Sequence, residues 1–178
     1  MSLTLAGSGA GREATTRRTI AVDAAIVLSA AAAFAHLVAA PSHFTWWPAS
    51  VVFFVALGAG QLVFSVLLWR GARSGRFLLG GIWCTVAVIL VYVASRTVGL
   101  PMTPPVPFHG GRWVPGRSMV PNGAKYVGPL DVFTLVAELL LVVTLLSMLP
   151  NRARARTVNT LMWVGLALWG TGAVAVLR

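Results

Sequence analysis

Residues 129–149 read PLDVFTLVAELLLVVTLLSML, an apolar run interrupted near its start by Asp131, Thr134 and Glu138. The run matches the roughly 20 residues that a helix needs to cross ~30 Å of hydrocarbon. Its three polar residues follow the spacing i, i+3, i+7 and so share one helical face. A charge in hydrocarbon costs roughly 2.5 to 3.5 kcal/mol on insertion scales unless it is paired or watered. That face must therefore look into a bundle of helices. Upstream, another apolar segment ends with Tyr92, Ser95 and Arg96. The stretch from Tyr92 to Glu138 thus predicts a membrane bundle with a polar site, and the rest of the chain reads as scaffold around it.

Composition agrees. Of 178 residues, 57% are hydrophobic and only 10% charged, and the mean hydropathy is +0.82. A soluble domain carries about 25% charged residues. The net charge of +10 does not point to nucleic acid, because the arginines cluster at the ends of apolar runs, where they set topology. The single cysteine, Cys84, lies inside an apolar run and excludes an intramolecular disulfide. Without CxxC or CxxCH, thiol redox chemistry and covalent haem attachment are unsupported.

Working outward, residues 1–18 read as a short disordered cytoplasmic tail, and residues 19–178 as a single membrane domain. Arg17-Arg18 precede an apolar run, but that run continues for about twenty residues, too long for an export signal. The first span is expected from about Ile20 to Ala40, with alanines that let a neighbour approach closely. Pro41 is expected to end it, and His43, Trp46 and Trp47 follow at the interface, where tryptophans form an aromatic belt. A second span covers about Ala49 to Trp69, and Gln61 inside it reads as a hydrogen-bonding group toward a neighbouring helix. Phe77 to Ala94 form the third span, Pro129 to Leu149 the fourth and Val158 to Leu177 the fifth. Between the third and fourth, residues 97–128 form a Pro/Gly-rich loop, long enough to be functional or disordered. No internal repeat is evident, which disfavours an inverted-repeat transporter.

Arginine placement sets the orientation. With the N-terminus inside, Arg12, Arg17, Arg18, Arg70, Arg73, Arg76, Arg152, Arg154 and Arg156 are cytoplasmic. Arg96, Arg112, Arg117, Lys125 and Arg178 are then outside, nine against five. The nine sit mostly in short segments beside the spans, where the bias counts most. The polar site then opens outward.

The expected ligand-binding residues are His36, Tyr92, Arg96, Asp131 and Glu138. Arg96 is expected to pair with Asp131 at the outer rim, with His36 and Tyr92 between that pair and Glu138. Such a cluster either fixes helix register or binds a proton, a metal or a small ligand. The metal version draws on His36, His43 and Glu138, with His109, Met102 and Met119 in the loop supplying ligands that suit copper. The spacing matches no metal signature. Haem held by two histidines on different spans is excluded, because only His36 lies within a span. No phosphate loop, dinucleotide fingerprint or HExxH is present.

His36-Leu37, Pro41, His43, the string SRTVGLP at 95–101, Gly128 and Glu138 together resemble a family of small multi-pass membrane proteins from high-GC Gram-positive bacteria. The similarity covers roughly the first four spans, and SRTVGLP is its most specific part. The resemblance implies a shared site rather than an activity. The chain departs from it in the Pro-rich insert after Pro101, where a shorter, acidic, tryptophan-containing loop is expected.

The reading is an all-α bundle of five transmembrane helices in the plasma membrane, with an outward-facing polar pocket. The function expected first is a non-enzymatic binding or accessory subunit of a larger membrane assembly, in contact with the lipid bilayer and other membrane subunits. A small proton-coupled or copper-like metal-handling transporter is the alternative, and an enzyme acting on a lipid or quinone is least supported. No cofactor is specified. The topology is testable: a reporter active only outside the cell is expected to work at Gly110 and at the C-terminus and to be silent at Ser74 and Ala153. Activity at Ser74 would overturn both the orientation and the outward-facing site.

Overall fold

A computed structural model describes the backbone of residues 7–43, 48–97, 107–108, 112–113 and 128–176, and the side chains of 20–41, 50–94 and 128–167. Five helices form: α1 (Gly7–His43), α2 (Pro48–Trp69), α3 (Gly75–Thr97), α4 (Pro129–Met148) and α5 (Asn151–Val176). The fold is all-α apart from a two-residue antiparallel pairing in the loop, β1 (Pro107–Phe108) with β2 (Arg112–Trp113). Among the described residues four segments are long and apolar enough to cross a membrane: Ile20–Pro41, Ser50–Trp69, Gly75–Ala94 and Pro129–Met148. The fifth helix also forms, but its expected span runs into residues whose side chains lie outside the described set.

Two boundaries differ from the sequence reading. The N-terminal segment is not wholly a tail, since α1 already begins at Gly7. Once started, a helix adds one hydrogen bond per residue, so the span extends toward the N-terminus. Pro41 does not end α1 but lies in its last turn, and the helix continues to His43. Proline removes one backbone donor and crowds the preceding turn, so closure follows within two residues.

The turn between α2 and α3 is specified locally. Ala72 N–H bonds to the Leu67 carbonyl at 2.9 Å and Gly71 N–H to that of Leu68 at 3.0 Å, with Gly71 at φ 93°. This is a Schellman closure, in which glycine takes the left-handed position without a Cβ penalty. Ser74 then starts α3: its hydroxyl accepts from Phe77 N–H at 3.3 Å and its carbonyl from Leu78 N–H at 3.0 Å.

Contacts between α1 and α2 run in opposite order along the two chains, which makes the pair antiparallel. Ser65 Oγ donates to the Ile26 carbonyl at 3.1 Å and Ser29 Oγ to the Gln61 carbonyl at 2.8 Å, while Gly58 meets Ala33 and Leu37. α1 also packs on α4, and α3 on α4, so α1 lies between α2 and α4. The core joins all four through Ala25, Leu68, Leu78, Ile82, Leu141, Val142, Leu145 and Leu149. Since Leu68 and Leu149 end their helices and Leu78 starts α3, the α2–α3 and α4–α5 turns lie at the same end of the bundle.

Small residues allow this closeness. Ala25, Ser29, Ala32, Ala33 and Ala40 of α1 are almost fully buried. A Cβ at Gly58 would stand 2.8 Å from Leu37 Cγ and 3.0 Å from the Ala33 carbonyl oxygen. One turn face away, a Cβ at Gly60 would meet nothing within 4 Å. Gly58→Ala is therefore expected to cost about 1 to 3 kcal/mol as an overpacking change. Gly60→Ala should leave thermal stability in detergent equal or slightly raised; equal behaviour of the two variants would refute the close α1–α2 approach.

Candidate functional site

Three helices deliver polar groups to one point in the bundle. His36 stands in the last third of its span, about five residues or roughly 7.5 Å from Pro41 at 1.5 Å per residue. Glu138 lies near the middle of α4, about nine residues or roughly 13.5 Å from Pro129 by the same rise. Helical side chains lean toward their own N-terminus. Because α1 and α4 run in opposite directions, His36 leans deeper and Glu138 leans back toward the Pro41/Pro129 end, and their depths converge. Gln61, on α2 and antiparallel to α1, leans the same way as Glu138.

His36 Nε2 bonds to Glu138 Oε1 at 3.0 Å, and Gln61 Nε2 donates to the same oxygen at 3.3 Å. All three are buried, with exposures of 6% for His36, 8% for Gln61 and 2% for Glu138. No bulk water satisfies groups this enclosed, so the acid depends on donors brought by other helices. The His36 ring is stacked on Phe54 at a centroid distance of 5.9 Å, and the Ser29 bond to the Gln61 carbonyl fixes the backbone from which the amide projects. One acceptor is left over: Gln61 Oε1 is buried without a hydrogen-bond partner.

Of the residues expected at the site, His36 and Glu138 meet directly. Asp131 has another task close to home. Its Oδ2 accepts from the Gly128 N–H at 3.0 Å and caps the start of α4, where negative charge also suits the helix dipole. Thr134, on the same face, donates to the Leu130 carbonyl of its own helix at 2.8 Å. Tyr92 lies half-buried on α3. The side chains of Arg96 and His43 lie outside the described residues, as do His109, Met102 and Met119. Among the described residues no group of three or more His, Cys, Asp or Glu converges as a metal site would require.

Gln61 belongs to the cluster although it is not among the expected site residues. Its hydrogen bond to another helix is the bond expected of it, but the recipient is Glu138. The pattern that carries this is the buried series Gly58, Gln61, Ser65 and Leu68, which follows helical three- and four-residue steps along α2. The search of family models, curated proteins and solved structures found no match to this chain.

The arrangement predicts a coupling. His36→Leu leaves a buried carboxylate with a single long hydrogen bond and is expected to cost about 3 kcal/mol or more. Adding Glu138→Leu removes the stranded acid and should recover much of that loss. A double-mutant cycle on thermal unfolding in detergent measures this; additive losses would mean that the two side chains do not meet.

Proposed function

We propose that the chain is a non-enzymatic subunit of a plasma-membrane assembly, with its N-terminus cytoplasmic, its C-terminus extracytoplasmic and its polar cluster serving to hold the helices in register. The observation that carries this reading is the occupancy of Glu138: its Oε1 is taken by donors from both other helices of the cluster. An acid engaged in this way acts inside the fold. The accessory role is supported by the outward surfaces of α2 and α3. Ala56 and Gly60 on α2, and Gly80 and Cys84 on α3, are exposed at four-residue spacing, and nothing approaches Gly60 or Gly80 within 4 Å. Small residues spaced this way let a further helix come close.

Purification in mild detergent followed by native mass spectrometry is expected to show a stoichiometric membrane partner. Gly60→Leu should release it without lowering the melting temperature of the chain, whereas Gly60→Ala should retain it. A lone wild-type chain, or a partner indifferent to Gly60→Leu, would overturn the proposal.

A second reading, proton-coupled or metal-handling transport, is favoured by the unpartnered Gln61 Oε1 beside a mid-span carboxylate. Elemental analysis of wild type and His36→Ala separates the two: stoichiometric metal lost in the variant would support handling of a metal over a purely structural cluster.

A further inference from the structure

The first two turns of α5 carry three exposed arginines, Arg152, Arg154 and Arg156, directly after the end of α4. They follow the end of the α4 span at Met148 within eight residues of chain, and basic residues next to a span are those that meet headgroups. Over its described side chains, residues 151–167, α5 touches the bundle along one side. Ala153, Thr157, Leu161 and Val164 are buried or partly buried, and Ala153 and Leu161 pack against the core. At 100° per residue the opposite side gathers Arg152, Arg156, Asn159, Trp163 and Leu166 within about 80° of arc. All five are exposed. Ala155 and Met162 flank this side and are exposed as well.

This exposed side changes character along its length. It is cationic for two turns, then amidic at Asn159, then apolar at Met162, Trp163 and Leu166. We propose that it binds one anionic phospholipid, with the phosphate against Arg152 and Arg156, the Asn159 amide on the headgroup or glycerol oxygens, and an acyl chain along Met162 and Leu166. The partner is argued from charge and depth together: guanidinium groups pair with phosphate in forked hydrogen bonds, and the apolar continuation fits the chain that a free phosphate lacks. Arg154 provides an internal comparison. It carries the same charge in the same segment, but projects away from this side, and its Nη2 donates to Asn151 Oδ1 at 2.8 Å.

The test uses the full chain in nonionic detergent, titrated with phosphatidylglycerol, phosphatidylcholine or inorganic phosphate and followed by native mass spectrometry. Phosphatidylglycerol adducts are expected to exceed those of phosphatidylcholine, and inorganic phosphate should not displace them at equal concentration. An arginine near an anionic headgroup contributes roughly a fivefold factor in affinity, so Arg152→Gln with Arg156→Gln should weaken binding on the order of thirtyfold. Arg154→Gln should change it less than twofold, and Met162→Gln should weaken it with all charges kept. Arg152→Lys with Arg156→Lys, which keeps the charge but loses the guanidinium fork, should weaken binding less than the Gln pair does. Equal adducts of the two lipids, displacement by phosphate, or equal losses at Arg154 and Arg156 would each overturn the proposal. A photocrosslink from position 163 to a protein chain instead of lipid would do the same. None of these outcomes depends on Gly60 or on the cluster at Glu138.

Discussion

A carboxylate at mid-depth in a membrane has no solvent to fall back on, and most of this bundle can be understood from the need to serve Glu138. Its oxygen Oε1 takes donors from α1 and α2 at once. For both to reach, α1 must lie between α2 and α4, and the two long polar side chains must converge at a single depth. Alanine and serine along α1, and Gly58 on α2, remove the bulk that would hold the helices apart. The polar cluster and the thin α1–α2 interface are thus parts of one arrangement: the first needs the second to close.

The energies show what the cluster contributes. Hydrogen bonds between membrane helices are worth about 0.6 kcal/mol each on average, so the two at Glu138 and the two serine–carbonyl bonds sum to only about 2 to 3 kcal/mol. Placing the acid at mid-span costs a similar amount, roughly 2.5 to 3.5 kcal/mol. The cluster therefore adds little net stability. It penalises every arrangement in which His36 or Gln61 is displaced by a turn, while close packing of small residues supplies the attraction. Specificity comes from the polar groups and cohesion from the alanines.

The spans were legible because hydrocarbon thickness and proline placement leave little freedom. Pro129 and Pro48 open α4 and α2, where a missing backbone donor is harmless. Helix count and the inward direction of Glu138 follow from the same constraint. Neighbour relations were less legible, since the period of a helix says which residues share a face and not which helix that face meets. Gln61 could be read as bonding across an interface, but only the placement of α1 against α4 makes Glu138 its partner. Asp131 carries a local role that its spacing does not announce. Its spacing with Glu138 suggested one polar site, whereas its position in the first turn of α4 gives it a local backbone donor, and such a short-range bond forms at little entropic cost.

α5 stands apart for a reason that also follows from composition. Among its described side chains the inner residues are Ala153, Thr157, Leu161 and Val164, whereas the hydrogen bonds at Glu138 come from α1 and α2. It leans on the core through Ala153 and Leu161. Its other side must then be covered by something outside the chain, and the three arginines at its start restrict what that is. Apolar neighbours alone would leave guanidinium groups without counter-charges at the edge of the hydrocarbon. A partner that is anionic at one level and apolar one or two turns further along satisfies both halves, which is the physical description of a phospholipid lying beside a helix.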